Sequence, residues 1–125
     1  MKTIKLVTIF FLSQFLMNNS FAHGMDKAGP NGGNITMPGP FHVELVVKNN
    51  KTIVYLLDIA FKNPITENSS VEININAGTT KTCVVEKDYF VCPDATYKNG
   101  DKIVLQTTRK GIKGLKANYQ FPLKF

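Results

Sequence analysis

The chain has 125 residues, 43% of them apolar, and its 15 Lys+Arg against 9 Asp+Glu give a net charge of +6. That length allows one small domain and excludes two. Lys48, Lys51, Lys62, Lys81, Lys98, Lys113 and Lys124 fall in or beside different turns, which excludes the clustered cations and aromatic platforms of a nucleic-acid binder.

Residues 1–22 read as a secretion signal. Lys2 and Lys5 precede the apolar run "LVTIFFLSQFLM", and "SFA" places small side chains at Ser20 and Ala22 for a peptidase cut. The run is shorter than the roughly 20 residues a spanning helix needs. Cleavage after Ala22 takes 22 of the 125 residues and leaves 103, beginning at His23. Lys2 and Lys5 go with the signal, so 13 basic residues face 9 acidic ones and the net charge falls to +4. The expected location is the periplasm or the exterior. Residues 23–32 are expected as a flexible leader and 33–125 as the folded domain.

Beyond Pro40 the hydrophobic period is two, the spacing of half-buried strands. "FHVELVVK" sets Phe41, Val43, Leu45 and Val47 on one face and His42, Glu44 and Lys48 on the other. Asn49-Asn50 forms a tight hairpin turn. "TIVYLLDIAF" then aligns Ile53, Tyr55, Leu57, Ile59 and Phe61, and "VEININ" aligns Val71, Ile73 and Ile75. "YKNGDK" is an Asn-Gly turn leading into Ile103–Thr108. "LKANYQFPLKF" closes the chain, with Leu115, Ala117, Tyr119, Phe121, Leu123 and Phe125 alternating.

Between these runs, "TCVVEKDYFVCP" reads as a hairpin whose two-residue turn is Lys87-Asp88. Counting outward, Glu86 faces Tyr89, Val85 faces Phe90, Val84 faces Val91 and Cys83 faces Cys92. The cysteines land on a non-hydrogen-bonded pair, whose α-carbons lie about 4.5 Å apart and within disulfide reach. An oxidising compartment favours that bond.

About seven short strands without a helical segment predict an immunoglobulin-like β-sandwich stapled by one disulfide. A small β-barrel is the alternative.

Candidate chemistry is sparse. The isolated carboxylates do not form the paired acids of a glycosidase, and no enzyme activity is expected. The two histidines, His23 and His42, both belong to the first twenty residues after the cut. An N-terminal His23 would offer its α-amine and ring to one metal ion, and His42 on the solvent side of its strand would add a second imidazole. Copper(II) favours such nitrogen-rich tetragonal sites. Asp26, Met25 and Met37 stand close in sequence as auxiliary ligands.

The stretch "GPNGGNITMPGPFHVELVVKNNKTIVYLLD" resembles a group of small secreted bacterial proteins. It is also similar to the N-terminal extension of periplasmic adaptor subunits in heavy-metal efflux pumps, which carry a Gly-Pro-His-Gly-Gly signature. The matching residues are Gly29, Pro30, Gly32, Gly33, Gly39, Phe41, His42, Val43, Glu44 and Leu45. A looser similarity links the chain to periplasmic copper-carrier sandwiches. The resemblance implies a periplasmic sandwich that binds and does not catalyse. Asn31 stands where the signature has histidine, so the signature's metal role does not carry over to that position. The leading expectation is a monomeric copper-binding protein. The alternative is a metal-free module docking on an envelope or efflux protein through exposed sheet edges or "NITMPGPF".

Overall fold

A computed structural model describes residues 25–123, with side chains from residue 28 onward. Among these residues every regular element is a strand. In chain order they are β1 (Met25–Ala28), β2 (Asn34–Thr36), β3 (His42–Lys48), β4 (Lys51–Leu57), β5 (Ser70–Ile75), β6 (Lys81–Thr82), β7 (Val84–Glu86), β8 (Tyr89–Cys92), β9 (Lys102–Arg109), β10 (Ile112–Lys113) and β11 (Ala117–Gln120).

They form two antiparallel sheets. One runs β1-β2-β3-β4-β8-β7; the other runs β10-β9-β5-β6, with β11 also pairing β9. The sheets pack face to face as a β-sandwich and do not close into a barrel, so the barrel alternative falls. The chain crosses between sheets along one side, because β6 pairs β5 while β7, two residues later, pairs β8. No helix among the described residues is long and apolar enough to cross a membrane.

Alternation predicts most of the core. Phe41, Val43 and Leu45 from the β3 side meet Val71 and Ile73 of β5, Ile103 and Leu105 of β9, and Ala117 and Tyr119 of β11. The β3–β4 turn is as expected: Lys48 pairs Lys51, and Asn49 and Asn50 both have positive φ, 54° and 63°. Asparagine tolerates that region far better than a bulky residue does. The disulfide hairpin has the predicted register throughout, and Cys83 and Cys92 are bonded with α-carbons 4.1 Å apart.

Three expectations need correction. On β4 the core face is Val54 and Leu56, and Ile53, Tyr55 and Leu57 point outward. The reason is register: Val54 pairs Leu45 and Leu56 pairs Val43, and cross-strand partners share a face. Nearly every residue of "TIVYLL" is apolar, so alternation alone could not choose a side. The closing strand is shorter than expected: Leu115 lies outside β11 and is 69% exposed. Finally, the stretch expected as a flexible leader supplies β1 and a hydrogen-bonded loop at Gly29–Gly33.

Two side chains tie the layers together across the core. Tyr119 of β11 donates its hydroxyl hydrogen to the Val43 carbonyl of β3 and is hydrogen-bonded to Thr36 Oγ1. Arg109 of β9 donates from Nε to the Leu56 carbonyl and from Nη2 to the Asn63 carbonyl. The second contact holds the loop that follows β4 against the opposite sheet.

Candidate binding face

The outer face of the six-stranded sheet divides into a covered half and an open half. In the covered half, Glu44 projects outward from β3 and is completely buried. The loop Gly29–Gly33 lies over it. Asn31 N and Gly33 N donate to Glu44 Oε2 at 2.8 and 2.7 Å, and Asn31 Nδ2 donates to Oε1 at 2.9 Å. A buried carboxylate is costly unless its oxygens are satisfied, and here the loop supplies three N–H donors. The loop closes on itself as well, through Gly29 N to the Gly33 carbonyl and Gly32 N to the Gly29 carbonyl.

The glycines follow from this closeness. A Cβ on Gly29 would stand 2.5 Å from Glu44 Cδ, and one on Gly33 would stand 2.5 Å from the Leu45 carbonyl oxygen and 2.9 Å from Glu44 Cγ. Gly32 has φ of 80°, a conformation side chains resist. The sequence "GPNGG" is therefore a clasp whose ligand is the chain's own carboxylate. Asn31, which sequence reasoning weighed only as a lost metal ligand, is one of its donors. Glycines eleven and fifteen positions before a lone strand glutamate were the available signal.

His42 is also covered. Its ring is 4% exposed and stacks on Phe61, with centroids 3.9 Å apart and planes 18° from parallel. Nδ1 lies 3.1 Å from the Asp58 carbonyl oxygen. A carbonyl only accepts, so Nδ1 carries the proton. The expectation of a solvent-facing His42 is thus corrected: it points to the outer face as expected, and the loop after β4 roofs it over. That loop is held by the Asp58 carboxylate, which accepts from Ala60 N, Lys62 N and Asn63 Nδ2. These bonds, the Lys62 amide foremost, hold the Asp58 carboxyl below its usual range. Phe61 itself has φ of 63°, a strained geometry for an aromatic residue that persists where its surroundings fix it.

The remaining expected ligands are scattered in what can be said of them. His23 lies outside the described residues. Met25 and Asp26 lie in β1, with Met25 opposite Ile35, and their side chains are likewise outside the description. Met37 follows β2 and is 38% exposed. Among the described residues no three of His, Cys, Asp and Glu come together as metal ligands. His42 is thus roofed by Phe61 where an open ring was expected, and of the other expected ligands only Met37 has a described side chain.

The open half lies over β4, β8 and β7. Register sets Val46, Ile53, Val91 and Val84 in one row across four strands. Coverage thins along that row, from a buried Val46 through half-buried Ile53 and Val91 to Val84 at 63% exposure. Beside it the half-buried rings of Tyr55 and Tyr89 lie tilted, 5.3 Å between centroids. The row ends at β7, the outermost strand, where Val85 is also mostly exposed. Val85 forms a non-hydrogen-bonded pair with Phe90, so its N–H and C=O point away from the sheet.

No family model matches the chain, and no curated protein or solved structure matches it. The functional reading therefore stands on the residues themselves.

Proposed function

We propose that this chain is an exported, non-catalytic docking module of the cell envelope, and that it binds a partner protein through the open half of the six-stranded sheet. The observation carrying this reading is the apolar row that runs outward from the buried Val46 through half-buried Ile53 and Val91 to the exposed Val84, on the face of β4 opposite the core. A solvated sheet face ordinarily reads as polar residues alternating with core residues. Here β4 is apolar on both faces, and the outward one is only partly shielded. Exposed β-branched residues at a sheet edge favour association unless something covers them. The signal-like start and the resemblance to efflux-adaptor extensions support an envelope setting for the partner.

The test is site-specific photo-crosslinking in the exporting cell, with a photoreactive phenylalanine at position 84 or at position 112. Ile112 is similarly exposed but belongs to the other sheet. A discrete protein adduct from 84, absent from 112 and lost on Ile53→Lys, is expected. No adduct, or equal adducts from both positions, overturns the reading.

A further inference from the structure

We infer that the outer face of the five-stranded sheet is a binding track for an acidic polysaccharide. This face carries an open groove of about 980 Å³ over β5, β9 and β11. Lys102, Lys113 and Lys116 line it with their side chains exposed, together with Asn74, Gln106 and Asn118. Glu72 is the single acid lining it among the described residues, so the track carries an excess of positive charge.

Register gives the cations an order. Lys102 stands at one end of β9, and Lys113 pairs Thr108 six residues along the same strand. At about 3.4 Å per residue that is a track of about 20 Å. Lys116 directly precedes Ala117, which pairs Leu105, and so falls between the two. Amides occupy the intervals: Asn74 and Asn118 both pair Val104 from opposite sides, and Gln106 lies two residues beyond it. Two of these amides are pre-set by the protein, Asn74 Nδ2 donating to the Gly78 carbonyl and Gln106 Nε2 to the Gly114 carbonyl. Amide groups held this way offer hydrogen bonds at fixed places, as hydroxyl recognition requires.

The chemistry selects among polyanions. No aromatic side chain lines the track, so it lacks the stacking platforms that single-stranded nucleic acids use. It is a sheet face and not an edge, so an acidic peptide would find no backbone ladder to extend. A polymer of uronic acids has carboxylates for the lysines and hydroxyls for the amides.

The experiment is calorimetric titration of the full exported chain with polygalacturonate, at 50 and 200 mM NaCl. Dextran, polyglutamate and polyadenylate serve as comparisons. Polygalacturonate should bind, weakening at least tenfold at the higher salt as counterion release requires. The combined substitution Lys102→Glu, Lys113→Glu, Lys116→Glu should abolish binding, and Lys51→Glu with Lys62→Glu should leave it within twofold. Asn118→Ala should weaken it about fivefold at unchanged salt dependence. All these side chains are exposed, so the urea midpoints of the variants should match the parent's. An absence of heat with polygalacturonate, equal binding of dextran or polyglutamate, or full binding by the triple lysine variant overturns the inference. The track and the docking row lie on different sheets, and the Val84 crosslink in the triple variant separates the two outcomes.

Discussion

Replacing Glu44 tests the clasp directly. Hydrogen bonds to a charged group each contribute about 1.5–3 kcal/mol, and a buried donor left without its acceptor costs about 1–3 kcal/mol. Glu44→Ala removes the acceptor from Asn31 N, Asn31 Nδ2 and the buried Gly33 N at once. The contributions are not additive, because the freed loop can partly turn its donors to water. A loss of about 3–5 kcal/mol follows, a large share of the roughly 5–15 kcal/mol of a whole domain. Glu44→Gln is the discriminating variant. Its amide oxygen can occupy the Oε2 position and accept from both backbone amides. Asn31 can rotate its own amide so that its oxygen accepts from the new NH2 group. Only the charge assistance is lost, about 1–2 kcal/mol. Urea unfolding followed by tyrosine fluorescence, with the disulfide intact, measures both. For a slope of about 1.5 kcal/mol per M, the alanine midpoint should fall by about 2–3 M and the glutamine midpoint by about 1 M. Equal midpoints for the two variants, or an alanine variant within about 0.5 kcal/mol of the parent, would refute the clasp as a stabilising contact.

Burial keeps the Tyr119 hydroxyl protonated far above the ordinary tyrosine range, although Thr36 acts against the shift. In the unfolded chain it ionises near pH 10, so its contribution is full below that pH and declines as pH rises further. Tyr119→Phe should lower stability by about 1 kcal/mol at pH 8 and flatten the loss between pH 10 and 11, read from urea midpoints at each pH. Thr107 Oγ1 is buried without a hydrogen-bond partner; Thr107→Val should therefore raise the melting midpoint, with a gain of up to about 1 kcal/mol. His42→Ala removes a buried ring, its stack on Phe61 and its bond to Asp58, and should cost about 2 kcal/mol. The same variant should leave copper(II) binding in a titration unchanged, and a loss of tight binding would return His42 to the role of ligand.

The periodicity of two was enough to read the core from Val71, Ile73 and the Phe41–Leu45 strand, because each of those runs is polar on its other side. It was also enough to place the disulfide, since a two-residue turn leaves only one way to count outward from Lys87-Asp88. It failed on β4 because an apolar run has no polar phase to orient it. It failed on His42 for a different reason. The strand showed which way the ring points, but what lies above it depends on Phe61, nineteen residues away, and on a loop pinned by Asp58 and Arg109. Long-range cover of that kind leaves no periodic trace. The clasp was not legible: most of "GPNGG" falls in the stretch expected as a flexible leader, and nothing local named Glu44 as the group it closes on.

The treatment of this one sheet face is uneven in a way that bears on function. Over its β3 end the chain lays a strand, a five-residue loop with two sterically required glycines, and an aromatic residue in a strained conformation. That cover shelters one carboxylate and one imidazole. Over β4, β8 and β7 the described chain lays nothing comparable, although the side chains there are the apolar ones that gain most from cover. At about 25 cal/mol per Å², shielding Val84, Ile53, Val91 and the Tyr55–Tyr89 pair would stabilise the domain more cheaply than burying a charge. A fold shaped by its own stability alone would cover the apolar end first. The cover sits instead where it makes the β3 end rigid and polar-satisfied, and it stops at the border of the apolar row. That border is where a second protein would find a preformed apolar surface, and the Cys83–Cys92 bond limits how far β7 and β8, which carry its outer half, can move to admit one.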